Sequence, residues 1–208
     1  MQNKSSTYWE SYYAKHRDAA KPSYFAEFVA PFLEKNKSLV EIGCGNGRDS
    51  LFFAHQQINV QAIDQCKEEV AYLNEKHSDK ANIQFITSDM SLLQDYGQID
   101  YLYSRFSIHS INRDTEAIVF NWAKENLSKG GLFFIEVRSI NDELYGEGTE
   151  VGQHEFRTDH YRRFIDLEEI TALSEKSGFR VLYSIESQGL APYKEEDPSV
   201  IRLILQQD

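Results

Sequence analysis

Cysteine is nearly absent from this chain: two residues, Cys44 and Cys66, among 208. Two cysteines build no disulfide framework, which excludes the stapled secreted scaffolds and fits a reducing, cytoplasmic setting. No cluster of Cys and His has zinc spacing, so no metal site is expected. No run approaches the ~20 apolar residues that a membrane span requires. The opening residues 1–6 have no apolar stretch behind them, so no signal peptide is expected. Basic residues are in deficit, with 22 Lys and Arg against 33 Asp and Glu and a net charge of −11. That balance argues against nucleic acid, whose binding replaces counterions with Lys and Arg, and against an anionic membrane surface. Internal repeats and low-complexity linkers are also missing. What remains is ordinary globular composition, 41% hydrophobic and 26% charged, at a length that favours one domain over 1–208.

The most informative stretch is residues 38–49. An apolar strand runs into Gly43, Gly45 and Gly47, and a helix-forming segment follows. Glycine lets the backbone take positive φ and lets a ligand approach the main chain without meeting a Cβ. The following helix points its free N–H groups into the turn. This is the layout of a nucleotide or nucleoside site at the first strand–helix junction of an open α/β sheet. A dinucleotide fingerprint wants Gly-x-Gly-x-x-Gly, and here the third glycine comes one residue early, with Arg48 in its place. A phosphate loop wants Lys and then Ser or Thr, whereas Arg48 and Asp49 follow. Asp64 ends the second strand, about 20 residues past the glycines, where an acid grips a ribose diol. Gln65 follows it and is expected to flank the base.

The run Val40-Glu41-Ile42-Gly43-Cys44-Gly45-Asn46-Gly47 resembles the first motif of class I S-adenosylmethionine-dependent methyltransferases. That motif reads hydrophobic, acidic, any, then three glycines at alternate positions. The resemblance covers about 38–208. It implies a Rossmann-like α/β fold: a seven-stranded, mostly parallel sheet with an antiparallel last strand, helices on both faces and an N-terminal helical lid. It implies S-adenosylmethionine as cofactor and S-adenosylhomocysteine as product. It places Glu41, Gly43, Cys44, Gly45, Asn46, Gly47 and Asp64 on the cofactor. It adds Asp89 and Met90 after the third strand, on the adenine, and Ser104 and Arg105 after the fourth, toward the methionine end.

Along the chain, Trp9, Tyr12 and Tyr13 fall on one side of a helix within 7–17, a stretch that also carries Tyr8, His16 and Arg17. That helix is a packing element or an aromatic lid, since a sulfonium and an adenine both suit aromatic faces. Residues 1–37 are assigned to the lid, with Tyr13 on the cofactor and Trp9 and Tyr12 on the substrate. Ser23 caps a helix that Pro31 should break. Strands are expected over 39–42, 59–63, 83–87, 99–103, 132–137, 180–185 and 200–205. Helices are expected after the glycines, near 66–77, from Asn112 to Leu127 with Gly130 and Gly131 closing it, and from a capping box at Asp166 and Glu169 to Lys176. The last two strands are too close for a crossover helix and should pair antiparallel.

Between 139 and 163 periodicity fails, and a loop that long is usually functional or disordered. Its acidic first part gives way to His154, Arg157, His160, Tyr161, Arg162 and Arg163. This basic, aromatic knot is out of character for an acidic chain and is taken as a substrate-side insertion. Arg157, His160, Arg162 and Arg163 are candidate clamps for a carboxylate or phosphate, and Arg138 a further substrate-side residue. His109, His154, His160 and Tyr161 are the candidate general bases. The acceptor is then a small anionic or phosphate-bearing metabolite or sugar, and the protein a monomer or homodimer. The strand-four ending and the Trp9-Glu10-Ser11-Tyr12-Tyr13 run also resemble small bacterial tellurite- and thiopurine-type enzymes, which favours a small acceptor. Two other functions compete: a non-catalytic S-adenosylmethionine sensor, and an NAD-dependent oxidoreductase, which the glycine spacing and the reversed final pair disfavour.

Overall fold

The computed structural model describes residues 4–15 and 21–208. His16 and Arg17 lie outside the described residues. Helix α1 spans Lys4–Lys15 and α2 spans Tyr24–Val29. Ser23 caps α2 by accepting the Ala26 N–H, and the chain tightens into a 3-10 turn over Ala30–Phe32, where Pro31 has no N–H for an α-helical bond. Then follow β1 (Ser38–Ile42), α3 (Arg48–His55), β2 (Asn59–Asp64), α4 (Lys67–Lys76), β3 (Ile83–Thr87) and β4 (Ile99–Arg105). The second half holds α5 (Arg113–Asn126), β5 (Leu127–Arg138), three short strands β6 (Thr149–Gly152), β7 (Glu155–Arg157) and β8 (Tyr161–Arg163), α6 (Leu167–Lys176), β9 (Phe179–Ser187) and β10 (Val200–Gln207).

Seven strands form one sheet in the order β3-β2-β1-β4-β5-β10-β9. The first five run parallel, and β10 inserts antiparallel between β5 and β9. One face carries Phe25, Val29, Phe53, Ala54, Val70 and Leu73 from α2, α3 and α4; the other carries Val119, Phe120, Ala123 and Ile170 from α5 and α6. The inner strands are apolar on both faces, as a parallel sheet covered by helices requires.

Three expectations need correction. Residues 139–163 are not a structureless loop, because β6, β7 and β8 form a separate antiparallel sheet. The strands are only three or four residues long, too short for an alternating pattern to stand out in the sequence. Gly130 and Gly131 do not close α5: the helix stops at Asn126, and Gly130, at φ 78°, sits in an irregular start to β5. Asp166 caps α6 by accepting the Glu169 N–H, but Glu169 turns its carboxylate to Arg113 at 2.8 Å instead of completing the box.

Candidate functional site

The glycine turn is hooked onto the neighbouring strand: the N–H groups of Gly43 and Cys44 both donate to the Ile63 carbonyl, at 2.8 and 2.9 Å. Gly47 begins α3 at φ 73°, and a Cβ there would come within 2.8 Å of the Phe85 ring. Gly45 has φ 55°, and its missing Cβ would lie 2.6 Å from the Tyr13 hydroxyl and 2.8 Å from its ring. Tyr13, near the end of α1, thus lies directly over the turn. Burial first, and then the Asp64 charge, hold its phenol well above the ordinary tyrosine range. Met90 also reaches the turn, its methyl 3.2 Å from where a Gly43 Cβ would stand.

Asp64 is buried at the carboxyl end of β2. Its Oδ2 accepts the Gly45 N–H and its Oδ1 the Cys66 N–H, both at 2.9 Å. The Cys66 thiol bonds the same carboxylate. Gln65 beside it is half-buried. Asp89 accepts the Ser91 N–H at 2.8 Å and the Ser91 hydroxyl at 2.6 Å, capping the short turn Met90–Leu92. Cys44 and Cys66 are buried free thiols; burial and then the Asp64 charge push both up, so neither is a thiolate.

Beneath the turn runs a buried polar network that sequence reasoning missed. Glu41 accepts a short hydrogen bond from Ser50. Burial, then the neighbouring Asp49 charge, hold Glu41 well above the usual carboxylate range. Asp49 accepts the Ser23 N–H and hydroxyl, each at 2.7 Å, and the Tyr103 hydroxyl at 2.8 Å. Glu136 on β5 lies between Arg105 on β4, at 2.9 Å, and Arg202 on β10, at 2.7 Å. Register places these three side by side on adjacent strands. Arg105 therefore spends its Nε on Glu136. Among the described residues the buried Ser104 hydroxyl has no hydrogen-bond partner. A signal for the network was present in the acidic and basic residues inside otherwise apolar strands, Glu41, Arg105, Glu136 and Arg202.

After β4 the chain turns through Phe106 at φ 54°, a conformation that a bulky residue adopts only under constraint. Its ring lies under the guanidinium of Arg105 at 4.3 Å and that of Arg138 at 5.7 Å. His109 follows, buried, with Nδ1 accepting the Arg138 N–H at 3.1 Å. Burial and then the Arg138 charge hold it well below the usual histidine range.

The small sheet docks against this end. Residues 139 and 165 form a parallel bridge at its two ends. His160 is buried and stacks on Tyr8 of α1 with centroids 4.4 Å apart, and meets the Trp9 ring edge-on at 5.4 Å. Its Nδ1 bonds Asp159 at 2.6 Å, and Arg162 donates to its Nε2 at 3.1 Å. The N-terminal helix and the insertion thus meet over the carboxyl ends of the strands, with Tyr8, which the expectation left out of the site, at the junction. Tyr12 is exposed and packs edge-on against Tyr13.

The four arginines expected on the substrate side divide sharply. Arg138 is bound at 3.0 Å by both oxygens of Asp142 and at 2.9 Å by Glu196. Arg163 is buried, paired with buried Glu116 at 2.6 Å, and donates to the Ile111 carbonyl. Both are occupied in holding the fold. Arg157 is exposed on β7. Arg162 differs: its guanidinium is largely withdrawn from water and bonded to a neutral imidazole, and among the described residues no carboxylate lies within 4.0 Å of it. His154 sits apart in the β6–β7 turn, bonded to the Tyr145 hydroxyl at 2.8 Å. Tyr161 has a phenol pushed up by burial and then by the Glu155 carboxylate.

Comparison with known proteins agrees with this geometry. A family model described as a methyltransferase domain matches residues 13–184. The chain is 25% identical over 107 residues to TehB of Haemophilus influenzae, described as a probable S-adenosyl-L-methionine-dependent methyltransferase; the match covers 51% of this chain and 37% of that protein. The aligned part is thus well under half the length of that relative. Among solved structures, it is similar to an S-adenosylmethionine-dependent methyltransferase from Methanosarcina mazei, with a TM-score of 0.75, 14% identity, and coverage of 86% of this chain and 96% of that one. It is equally similar to a Burkholderia thailandensis 1,6-didemethyltoxoflavin N1-methyltransferase solved with 1,6-didemethyltoxoflavin and S-adenosylhomocysteine, with a TM-score of 0.75, 17% identity, and coverage of 97% and 86%.

Proposed function

We propose, on the premise that this chain belongs to the methyltransferase-domain family, that it transfers a methyl group from S-adenosylmethionine to a small anionic or phosphate-bearing acceptor. Two features fit the cofactor. Gly45 lacks a Cβ where any side chain would meet Tyr13, and Asp64 holds a buried carboxylate beside that turn, a group suited to the hydroxyls of a ribose. Gly43, Cys44, Gly45, Asn46 and Gly47 would form the floor, Gln65, Asp89 and Met90 would flank the base, and Tyr13 would cover it. Ser104 and Arg105 border the methionine end, and Glu41 supports the turn from below.

When bound, S-adenosylmethionine supplies a methyl group that is already activated on a sulfonium. The protein's own part is then to position, to exclude water and to place charge. Positioning alone is worth on the order of 7–11 kcal/mol. Tyr8, Trp9 and Tyr13 on α1 and His160 on the insertion exclude water, and Phe106 presents a rigid face at the end of β4.

The observation that carries the acceptor is Arg162, a partly buried guanidinium that, among the described residues, has no carboxylate within 4.0 Å. Withdrawing such a charge is costly unless an opposite charge joins it. An anionic acceptor supplies that charge, and the net charge of −11 disfavours a nucleic acid in that role. The test begins with calorimetric titration of S-adenosylmethionine and S-adenosylhomocysteine, which should both bind. A panel of carboxylates and phosphomonoesters is then screened for S-adenosylhomocysteine release. Arg162→Ala should raise acceptor KM by about tenfold or more, because a hydrogen bond to a charged group is worth about 1.5–3 kcal/mol. An unchanged KM would remove the anionic-acceptor reading.

A further inference from the structure

We infer that the molecule has a second small-molecule site, which takes a small aromatic carboxylate and holds it on Arg202. A cavity of about 630 Å³ opens between α2 and the loop that joins β9 to β10. That volume is within the range of small-molecule pockets. None of the residues lining it is among those assigned above to the cofactor or the acceptor. Helix α2 supplies Tyr24, Glu27 and Phe28, the loop supplies Leu190 and Pro192, and β10 supplies Arg202. Tyr24 is 59% exposed, a large ring left at the surface beside the half-buried Phe28. Two hydrogen bonds set the loop in place: the Gly189 N–H donates to Asp197 at 2.8 Å, and the Leu190 carbonyl accepts from Arg202 at 2.7 Å. The mostly apolar lining with one buried charge is the usual make-up of a ligand pocket.

Arg202 gives the site its charge. Its guanidinium is buried and held in position: Nε donates to Glu136 at 2.7 Å, Nη2 donates to the Leu190 carbonyl, and the Phe25 and Phe28 rings lie 5.2 and 5.1 Å from its central carbon. Nη1 carries two further N–H groups, and among the described residues no hydrogen bond takes them up. Opposite charge is short as well. Glu136 is shared with Arg105 at 2.9 Å, and among the described residues it is the one carboxylate within 4.0 Å of either arginine. Asp49 also bears on Arg105, but its oxygens are bound to Ser23 and Tyr103. A carboxylate in the cavity therefore meets a preset guanidinium with donors to spare, and it balances the second cation. The body of the ligand lies between Tyr24 on α2 and Leu190 and Pro192 on the loop, where a flat ring stacks on the tyrosine. Glu27, exposed on α2, disfavours a second acidic group and favours an amine at the far end of the ring.

The test is amide NMR of the full chain, titrated with benzoate, 4-(aminomethyl)benzoate and benzylamine. Benzoate should move the Tyr24, Phe28, Gly189 and Leu190 signals with a Kd on the order of 1 mM, the strength open to so small a ligand. The aminomethyl compound should bind more tightly, and benzylamine, which lacks the carboxylate, should leave those signals in place. Tyr24→Ala, at an exposed position, should weaken benzoate about two- to tenfold, the worth of a ring stack. Leu190→Trp fills the cavity and should abolish binding, and Arg202→Gln should take it beyond detection. Melting curves check each variant, and where Arg202→Gln does not fold the other two decide. No shift at these amides, benzylamine binding as tightly as benzoate, or shifts that survive both Tyr24→Ala and Leu190→Trp would overturn the inference. So would benzoate that moves only the Tyr161, Arg162 and Arg163 signals, since it would then sit with the acceptor. An aminomethyl compound no tighter than benzoate would strike Glu27 from the site. The inference does not rest on methyl transfer, so failure to bind S-adenosylmethionine would remove that reading and leave this one standing.

Discussion

Replacing Asp64 by Asn tests the cofactor site at its centre. The carboxylate accepts one backbone N–H on each oxygen, from Gly45 and from Cys66, both at 2.9 Å. An asparagine amide has one oxygen and one NH2. Whichever way it flips, one of the two N–H groups faces another donor. A hydrogen bond to a charged acceptor is worth about 1.5–3 kcal/mol, and a buried donor left unmet costs about 1–3 kcal/mol. The expected loss of stability is about 3 kcal/mol, which for a chain of this size lowers the melting temperature by about 6–12 °C. The same carboxylate is the group assigned to the ribose diol, so S-adenosylmethionine affinity should fall roughly 10- to 150-fold. Scanning calorimetry and isothermal titration measure the two effects. Asn112→Ala is the control: Asn112 caps α5 by accepting the Thr115 N–H at 2.9 Å. Losing that cap costs about 1 kcal/mol and should leave cofactor affinity unchanged. If Asp64→Asn melted with the wild type and bound the cofactor equally well, the assignment of Asp64 would be refuted. If both variants weakened binding alike, the effect would be one of general stability and not of the site.

Two further outcomes follow from buried charge. Glu116→Gln should destabilise by about 3–5 kcal/mol, because it strands the Arg163 guanidinium in the interior, and exchanging both residues for apolar ones of similar volume should restore much of the loss in denaturant unfolding. Glu41 carries a raised folded-state pKa, from burial and then Asp49, so the folded state binds its proton more tightly than the unfolded chain does. Its contribution is full below the unfolded value and is lost as pH rises toward the folded one. Glu41→Gln, which mimics the protonated form, should therefore flatten the fall in melting temperature between acidic and mildly alkaline pH; an unaltered slope would contradict the assignment.

The sheet, its reversed last pair and the glycine turn were legible in the sequence because each rests on local rules. Apolar strands of period-free composition, a positive-φ turn that only glycine enters freely, and caps such as Ser23, Asn112 and Asp166 need no distant partner to be recognised. The helical spacing of Trp9, Tyr12 and Tyr13 was local too. Residues 139–163 were not legible as strands, because pairs three residues long are stabilised by the neighbour they lie on and leave no periodic trace.

Side-chain roles divided along the same line. The sequence by itself determined that arginines crowd the second half of an acidic chain, and that a family motif sits at its first strand–helix junction. Tertiary structure alone decided which of those arginines is balanced. Arg138 met Asp142 and Glu196, and Arg163 met Glu116 from a helix far away in the chain, while Arg162 met His160 and, among the described residues, no carboxylate within 4.0 Å. It alone decided that Nδ1 of His109 and Nε2 of His160 accept hydrogen bonds from Arg138 and Arg162, and that Tyr8 on the first helix lies against His160. The physical reason is that charge balance and proton placement depend on atoms a few ångströms away in space, and sequence spacing reports such neighbours only within a single turn or strand.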